Sequence, residues 1–244
     1  MSSQLELVNK VKVKIDEITS STTPIQTVTV VDENPIDTII ASLLDECALE
    51  ILLKAPFHRL TISSSEFTNS STDDSDNSNN SEGSDSSNST PTSTSNTTNY
   101  FLIQSDKSVI INLPEDFLRL VSFRLDGWER SVTELSIKGD HISTLQSNKY
   151  TRGTPSRPIG VLCPTYNAQS KKTQLAIEAY SLETSEKESV ITEFLYIKKC
   201  PATDITGSQM IEAMTWICAG KVLSVMGNIE DAKNAYDNAQ SLMI

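Results

Sequence analysis

Histidine is nearly absent, and the motifs that would make it useful are absent altogether. The 244-residue chain has two histidines, His58 and His141, and neither stands in an H-E-x-x-H pattern, so no zinc-hydrolase helix is indicated. Neither G-x-G-x-x-G nor G-x-x-x-x-G-K-[ST] occurs, which excludes the common dinucleotide and nucleotide phosphate cradles. Cysteine is sparse: Cys47, Cys163, Cys200 and Cys218 include no C-x-x-C pair, so they read as reduced and mostly packed rather than as metal ligands or a redox motif. Positive charge is scarce as well, with 20 Lys and Arg against 32 Asp and Glu and a net charge of −12. That balance argues against gripping a nucleic-acid backbone, which needs clustered cations to displace counterions, although acidity by itself names no partner. No apolar run approaches the length of a membrane span, and the opening MSSQLELVNKVKVKI lacks the apolar core of a signal peptide. The expectation is a soluble protein made in cytoplasm, with no membrane partner. Finally, 37% hydrophobic residues is low for a compact body of this length, so part of the chain is not core.

What is present is a mixture of periods. Leu5, Val8, Val11, Ile15 and Ile18 recur at helical spacing, with Lys10, Lys12, Lys14, Asp16 and Glu17 on the remaining surface. Residues 25–31, IQTVTVV, have the β-branched density of a short strand or extended arm. A second helix starts with Asn34 as cap and Pro35 in the first position. Its wide apolar face, from Ile36, Ile39 and Ile40 through Leu43, Leu44 and Cys47 to Ile51 and Leu52, asks for more than one neighbour. Residues 68–99 are almost wholly Ser, Asn, Thr and Asp, too polar to offset their conformational entropy by burial, and predict an unstructured surface insertion. Its N-x-S/T sequons, at Asn69, Asn79, Asn88 and Asn96, are what such a composition yields by chance.

Strands are predicted over 100–103, 109–112, 121–125, 158–163, 174–180 and 190–197. Between the third and fourth, residues 134–158 read as a short helix followed by an extended arm, because Gly153, Pro155 and Pro158 prevent regular continuation. Ser208 then caps a helix that stops at Gly227, and Asn228 caps another with Ala232, Ala235, Tyr236, Ala239 and Leu242 on one face. Together they form a single helical hairpin with small residues at its seam. The predicted fold is α+β: an antiparallel β body with N-terminal helices and a C-terminal helical hairpin packing on them. Its segments are N-terminal helices and arm (1–62), low-complexity insertion (63–99), β body (100–199) and hairpin (200–244).

The stretch LPEDFLRLVSFRLDGWERSV changes period within itself. Pro114, Glu115 and Asp116 suit the first turn of a helix, whereas Val121, Phe123 and Leu125 alternate with Ser122, Arg124 and Asp126 as in a half-buried strand, and Asp126-Gly127 makes a turn. Glu115 and Asp116 serve a helix dipole better than acid/base chemistry. Trp128, just past the turn, either folds back onto its own sheet or anchors an interface. Arg152 and Arg157 flank the Gly/Pro arm and are interface candidates for acidic partners, against the plainer reading of solvated surface. No catalytic residue, cofactor site or metal site is assigned, and a hydrolase with an unrecognised site is the weakest of the functional readings.

The order of these segments resembles the head-to-tail adaptor proteins of tailed bacteriophages. INLPEDFLRLVSFRLDGWERSV is similar to the stretch in which such adaptors pass from a short Leu-Pro helix into a strand and hairpin. YTRGTPSRPIGVL resembles their Gly/Pro arm returning to the sheet, and MIEAMTWICAGKVLSVMGNIEDAKNAYDNAQSLM their Ala-rich terminal helices. The resemblance covers residues 34–58 and 100–244 and is nearest to ring proteins of crAss-like phages; the long Ser/Asn tract departs from it. It implies a structural virion protein, a head-tail connector, synthesised in host cytoplasm and assembled as a homo-oligomeric ring of roughly twelve copies. The portal protein lies to one side and tail or further ring proteins to the other, and DNA passes through the lumen without sequence-specific binding. Because related adaptors engage the portal through their last segment, Leu242, Met243 and Ile244 are the portal-contact candidates. A different reading of the same features is a non-catalytic cytoplasmic interaction scaffold, with the helical hairpin as binding module and the Ser/Asn tract as flexible linker.

Overall fold

A computed structural model describes residues 3–19, 35–64, 101–103, 108–167, 171–181 and 191–244. The anticipated strand at 25–31, the cap at Asn34 and the tract at 68–99 lie outside them. In chain order the elements are α1 (Gln4–Thr19), α2 (Pro35–Lys54), a 3-10 turn (Phe57–Arg59), β1 (Ser63–Ser64), β2 (Phe101–Ile103), β3 (Ser108–Asn112), β4 (Phe117–Leu125), β5 (Ser136–Ile137), α3 (His141–Leu145), β6 (Ile159–Asn167), β7 (Lys172–Tyr180), β8 (Ile191–Lys198), a second 3-10 turn (Ala202–Asp204), α4 (Ser208–Val225) and α5 (Ile229–Met243). The protein is α+β. It divides into two compact units: Met1–Ser64, Pro114–Ser122 and Leu195–Ile244 form one, and Ser65–Leu113 with Phe123–Phe194 form the other.

The helical unit is organised around α4, which packs against α1, α2 and α5. A helix that is apolar on every side must be enclosed, and Met210, Ala213, Met214, Ile217, Cys218, Ala219, Val222 and Leu223 are all buried. From α1 come Leu7, Val8, Val11 and Ile15, and from α2 Ile40, Leu44, Cys47 and Ile51. Leu5, expected on the buried face of α1, is 70% exposed. At 100° per residue it stands about 200° from Leu7, so once Leu7 faces the core Leu5 cannot. Ile39, also expected to be buried, is at the margin with 37% exposure. The helix starts differ in detail from expectation: Ser208, expected to cap α4, is its first residue with Gly207 at the cap position, and Asn228, which precedes α5, makes no side-chain cap bond. Backbone bonds begin those helices instead, from Ile211 to Gly207 and from Ala232 to Asn228, each 3.0 Å.

The second unit holds a five-stranded sheet in the order β2-β3-β7-β6-β5. It is antiparallel except where β5 runs parallel to β6. Ile111 pairs with Ile177, which pairs with Leu162, so these side chains share one face of the sheet. On the other face Glu178 is buried, and its carboxylate accepts a hydrogen bond from Lys138 at 2.6 Å. That ion pair reaches across β6 to the residue following β5, while Lys138 N–H donates to Leu162 O at 3.0 Å. A carboxylate taken from water is tolerable only when paired in this way. A three-stranded sheet, β1-β8-β4, contributes residues to each unit.

The helical turn expected at Pro114 does not form. Phe117 N–H donates to Pro114 O at 3.0 Å, which closes one tight turn, and Asp116 O is taken by the amide of Lys199 at 2.6 Å. With that carbonyl committed to another segment, no helical bond follows a nucleus that is already unfavourable. The strand therefore starts at Phe117 rather than Val121, and its buried positions shift parity from Leu120 to Phe123 and Leu125. The shift falls where the chain leaves one unit for the other, between Ser122 and Phe123.

Candidate docking surface

The last turn of α5 is positioned by small residues. Ala232, Ala235 and Ala239 are the buried residues of this helix, spaced so that α5 lies close on α4. Gly220 of α4 faces Tyr236: a Cβ there would stand 3.1 Å from the Tyr236 ring and 3.2 Å from Ala232 O. A Cβ at 220 would be tighter than ordinary packing allows, so the Tyr236 ring or the α5 backbone at Ala232 would have to give by a few tenths of an ångström. The close fit carries the chain to Leu242 and Met243, which are half-buried against the helical core, and to Ile244, which is 82% exposed. Arg59, from the 3-10 turn, holds this segment. Its Nη1 donates to Leu242 O at 2.7 Å and to Gln209 Oε1 at 2.9 Å, placing a cation where the helix dipole favours one.

Beside the tip lies a groove of about 800 Å³ between α2, α4 and α5, lined by Ile217, Tyr236, Met243 and Ile244 and by a ladder of charges. Lys221 Nζ is 2.7 Å from Glu46 Oε1 and 3.2 Å from Glu50 Oε2, and Lys54 Nζ is 2.6 Å from Glu50 Oε1. Burial alone would raise the Glu50 pKa, but the hydrogen bonds from Lys54 and Lys221 outweigh it and leave the carboxyl below its ordinary range. Burial likewise opposes the charge on Lys221, yet its carboxylate partners hold its pKa above that of a free lysine. The groove therefore has an apolar end at the tip and an ionised, internally neutralised wall, which suits a partner segment that brings apolar side chains and little net charge.

The other interface candidates belong to the second unit. Trp128 takes the inner of the two places open to it: it is 2% exposed and sits edge-on to Phe123, with ring centroids 5.3 Å apart. Gly127 allows this, because its φ of +79° lets the turn close with Trp128 N–H on Leu125 O. The indole Nε1 is buried and has no hydrogen-bond partner among the described residues. The arm after α3 is not extended as anticipated but folded into successive turns, ending where Thr154 and Arg157 exchange both backbone bonds. Buried Gln146 accepts from Gly153 N–H at 3.0 Å, and Pro155 O accepts from Glu129 N–H at 2.9 Å; these partners fold the arm where proline and glycine only forbid a regular element. Arg152 is half-buried, its guanidinium 5.3 Å from the centre of the Tyr180 ring, and Arg157 is exposed.

The remaining titratable groups have structural surroundings. His58 and His141 are exposed. Cys47 and Cys218 are both buried, and their mutual hydrogen bond together with desolvation pushes the Cys47 thiol far up, away from thiolate chemistry. Asp116 accepts from the Tyr196 hydroxyl at 3.2 Å. Among the described residues no group of three or more His, Cys, Asp and Glu is placed to hold a metal ion, and no helix is long and apolar enough to cross a membrane. The residues that sequence reasoning missed are the ones whose partners are remote: Arg59, Arg119 and Lys221 carry no local pattern that separates them from solvated surface. No protein-family model matches the chain, and no curated protein matches it.

Proposed function

We propose that this chain is a structural component of a virion, a head-to-tail adaptor whose copies form a ring between the portal and the tail of a tailed phage. Its contacts are then to further copies, to the portal protein and to tail or additional ring proteins, and DNA passes through an acidic lumen to which it does not adhere. The order of the resembling segments supports this reading, as does the α+β architecture with its terminal helical pair. The observation that carries it is the apolar tip: Ile244 stands 82% exposed at the end of a segment that Arg59 holds in place, a geometry suited to insertion into a partner's groove. An exposed apolar side chain gains about 1.5 to 3 kcal/mol when it is buried.

Light-scattering mass of the purified chain, alone and mixed with portal protein, tests the proposal. The expected result is a ring-sized assembly that joins the portal. A chain that stays monomeric in both conditions while binding short peptides belongs to the scaffold reading instead.

A further inference from the structure

We draw no further inference here: the strongest candidate, the apolar groove between α1 and the start of α4 with Val13 54% exposed on its wall, is an unpartnered surface, and nothing in the structure shows what covers it.

Discussion

Arg59 and Leu242 are 183 positions apart in the chain, and the guanidinium of the first donates to the carbonyl of the second at 2.7 Å. The bond satisfies one of the carbonyls that the end of α5 leaves open, and it is charge-assisted. Arg59→Met keeps the aliphatic stem but removes the donor. Stability should fall by about 1 to 2 kcal/mol, and amide hydrogen exchange in the last turn of α5 should quicken more than in α4. Equal change in both helices would mean that Arg59 supports the whole unit rather than the tip.

Arg119 does the same for α2. It donates to Leu53 O at 3.1 Å and Ala55 O at 2.9 Å, with its guanidinium 4.0 Å from the centre of the Phe57 ring. Arg119→Ala should cost about 2 kcal/mol in chemical denaturation. Arg119→Lys should recover less than half of that, since both bonds come from Nη1 of a planar guanidinium that also lies over the Phe57 ring, and an ammonium has no planar face to stack there while it donates.

The Glu50 ladder makes an acid limb in the stability profile. The Glu50 pKa is lowered from its ordinary 4.5 by Lys54 and Lys221 acting against burial. A depressed carboxyl pKa stabilises the fold above the unfolded value, and that contribution is lost as pH falls through the folded one. Glu50→Gln should therefore lower the melting temperature at neutral pH and narrow its gap to wild type as the pH drops below 4.5. A gap that is constant from neutral to acid pH would remove Glu50 from the linkage. Lys221 has the opposite sign, a raised pKa, so its contribution is present throughout this range and fades only above the ordinary lysine value of 10.5.

Trp128 separates packing from hydrogen bonding. Trp128→Ala removes the ring beside Phe123 and should destabilise by about 3 to 5 kcal/mol. Trp128→Phe keeps most of the ring and discards a buried N–H that has no partner among the described residues. The lost volume and the removed desolvation cost oppose each other, so its effect should stay under about 1.5 kcal/mol. Urea titrations of the two variants measure the difference.

Ile244→Ser tests the tip without disturbing the fold. At 82% exposure the side chain contributes little to the subunit, so melting should be unchanged while affinity for portal protein falls by about tenfold, the loss of one buried aliphatic contact. Met243→Ser should show the reverse emphasis, with a lower melting temperature, because Met243 packs on the helical core. Unchanged portal affinity for Ile244→Ser would place the portal contact elsewhere.

Local pattern decided a good deal about this protein. Alternation marked β3, β6, β7 and β8 to within a few residues, and the spacing of Ala232, Ala235 and Ala239 identified both the existence of α5 and the face it buries. These readings hold because period and residue size are written within a single element and need no knowledge of its neighbours. Where a second segment sets the outcome, local pattern is silent or misleading. Pro114 to Asp116 look helical until Lys199 takes the Asp116 carbonyl, and the Gly/Pro arm looks extended until Gln146 and Glu129 supply its partners. Leu5 fits the apolar period of α1, but which arc faces inward is chosen by the fit of Leu7 and Val11 into the helical core. The candidate site divides in the same way. The sequence by itself marked Leu242 to Ile244 as an apolar segment; only the tertiary structure, through Arg59 and the depth of the core beneath α5, decided that Met243 is half-buried and Ile244 stands exposed, because burial is a property of neighbours and not of spacing.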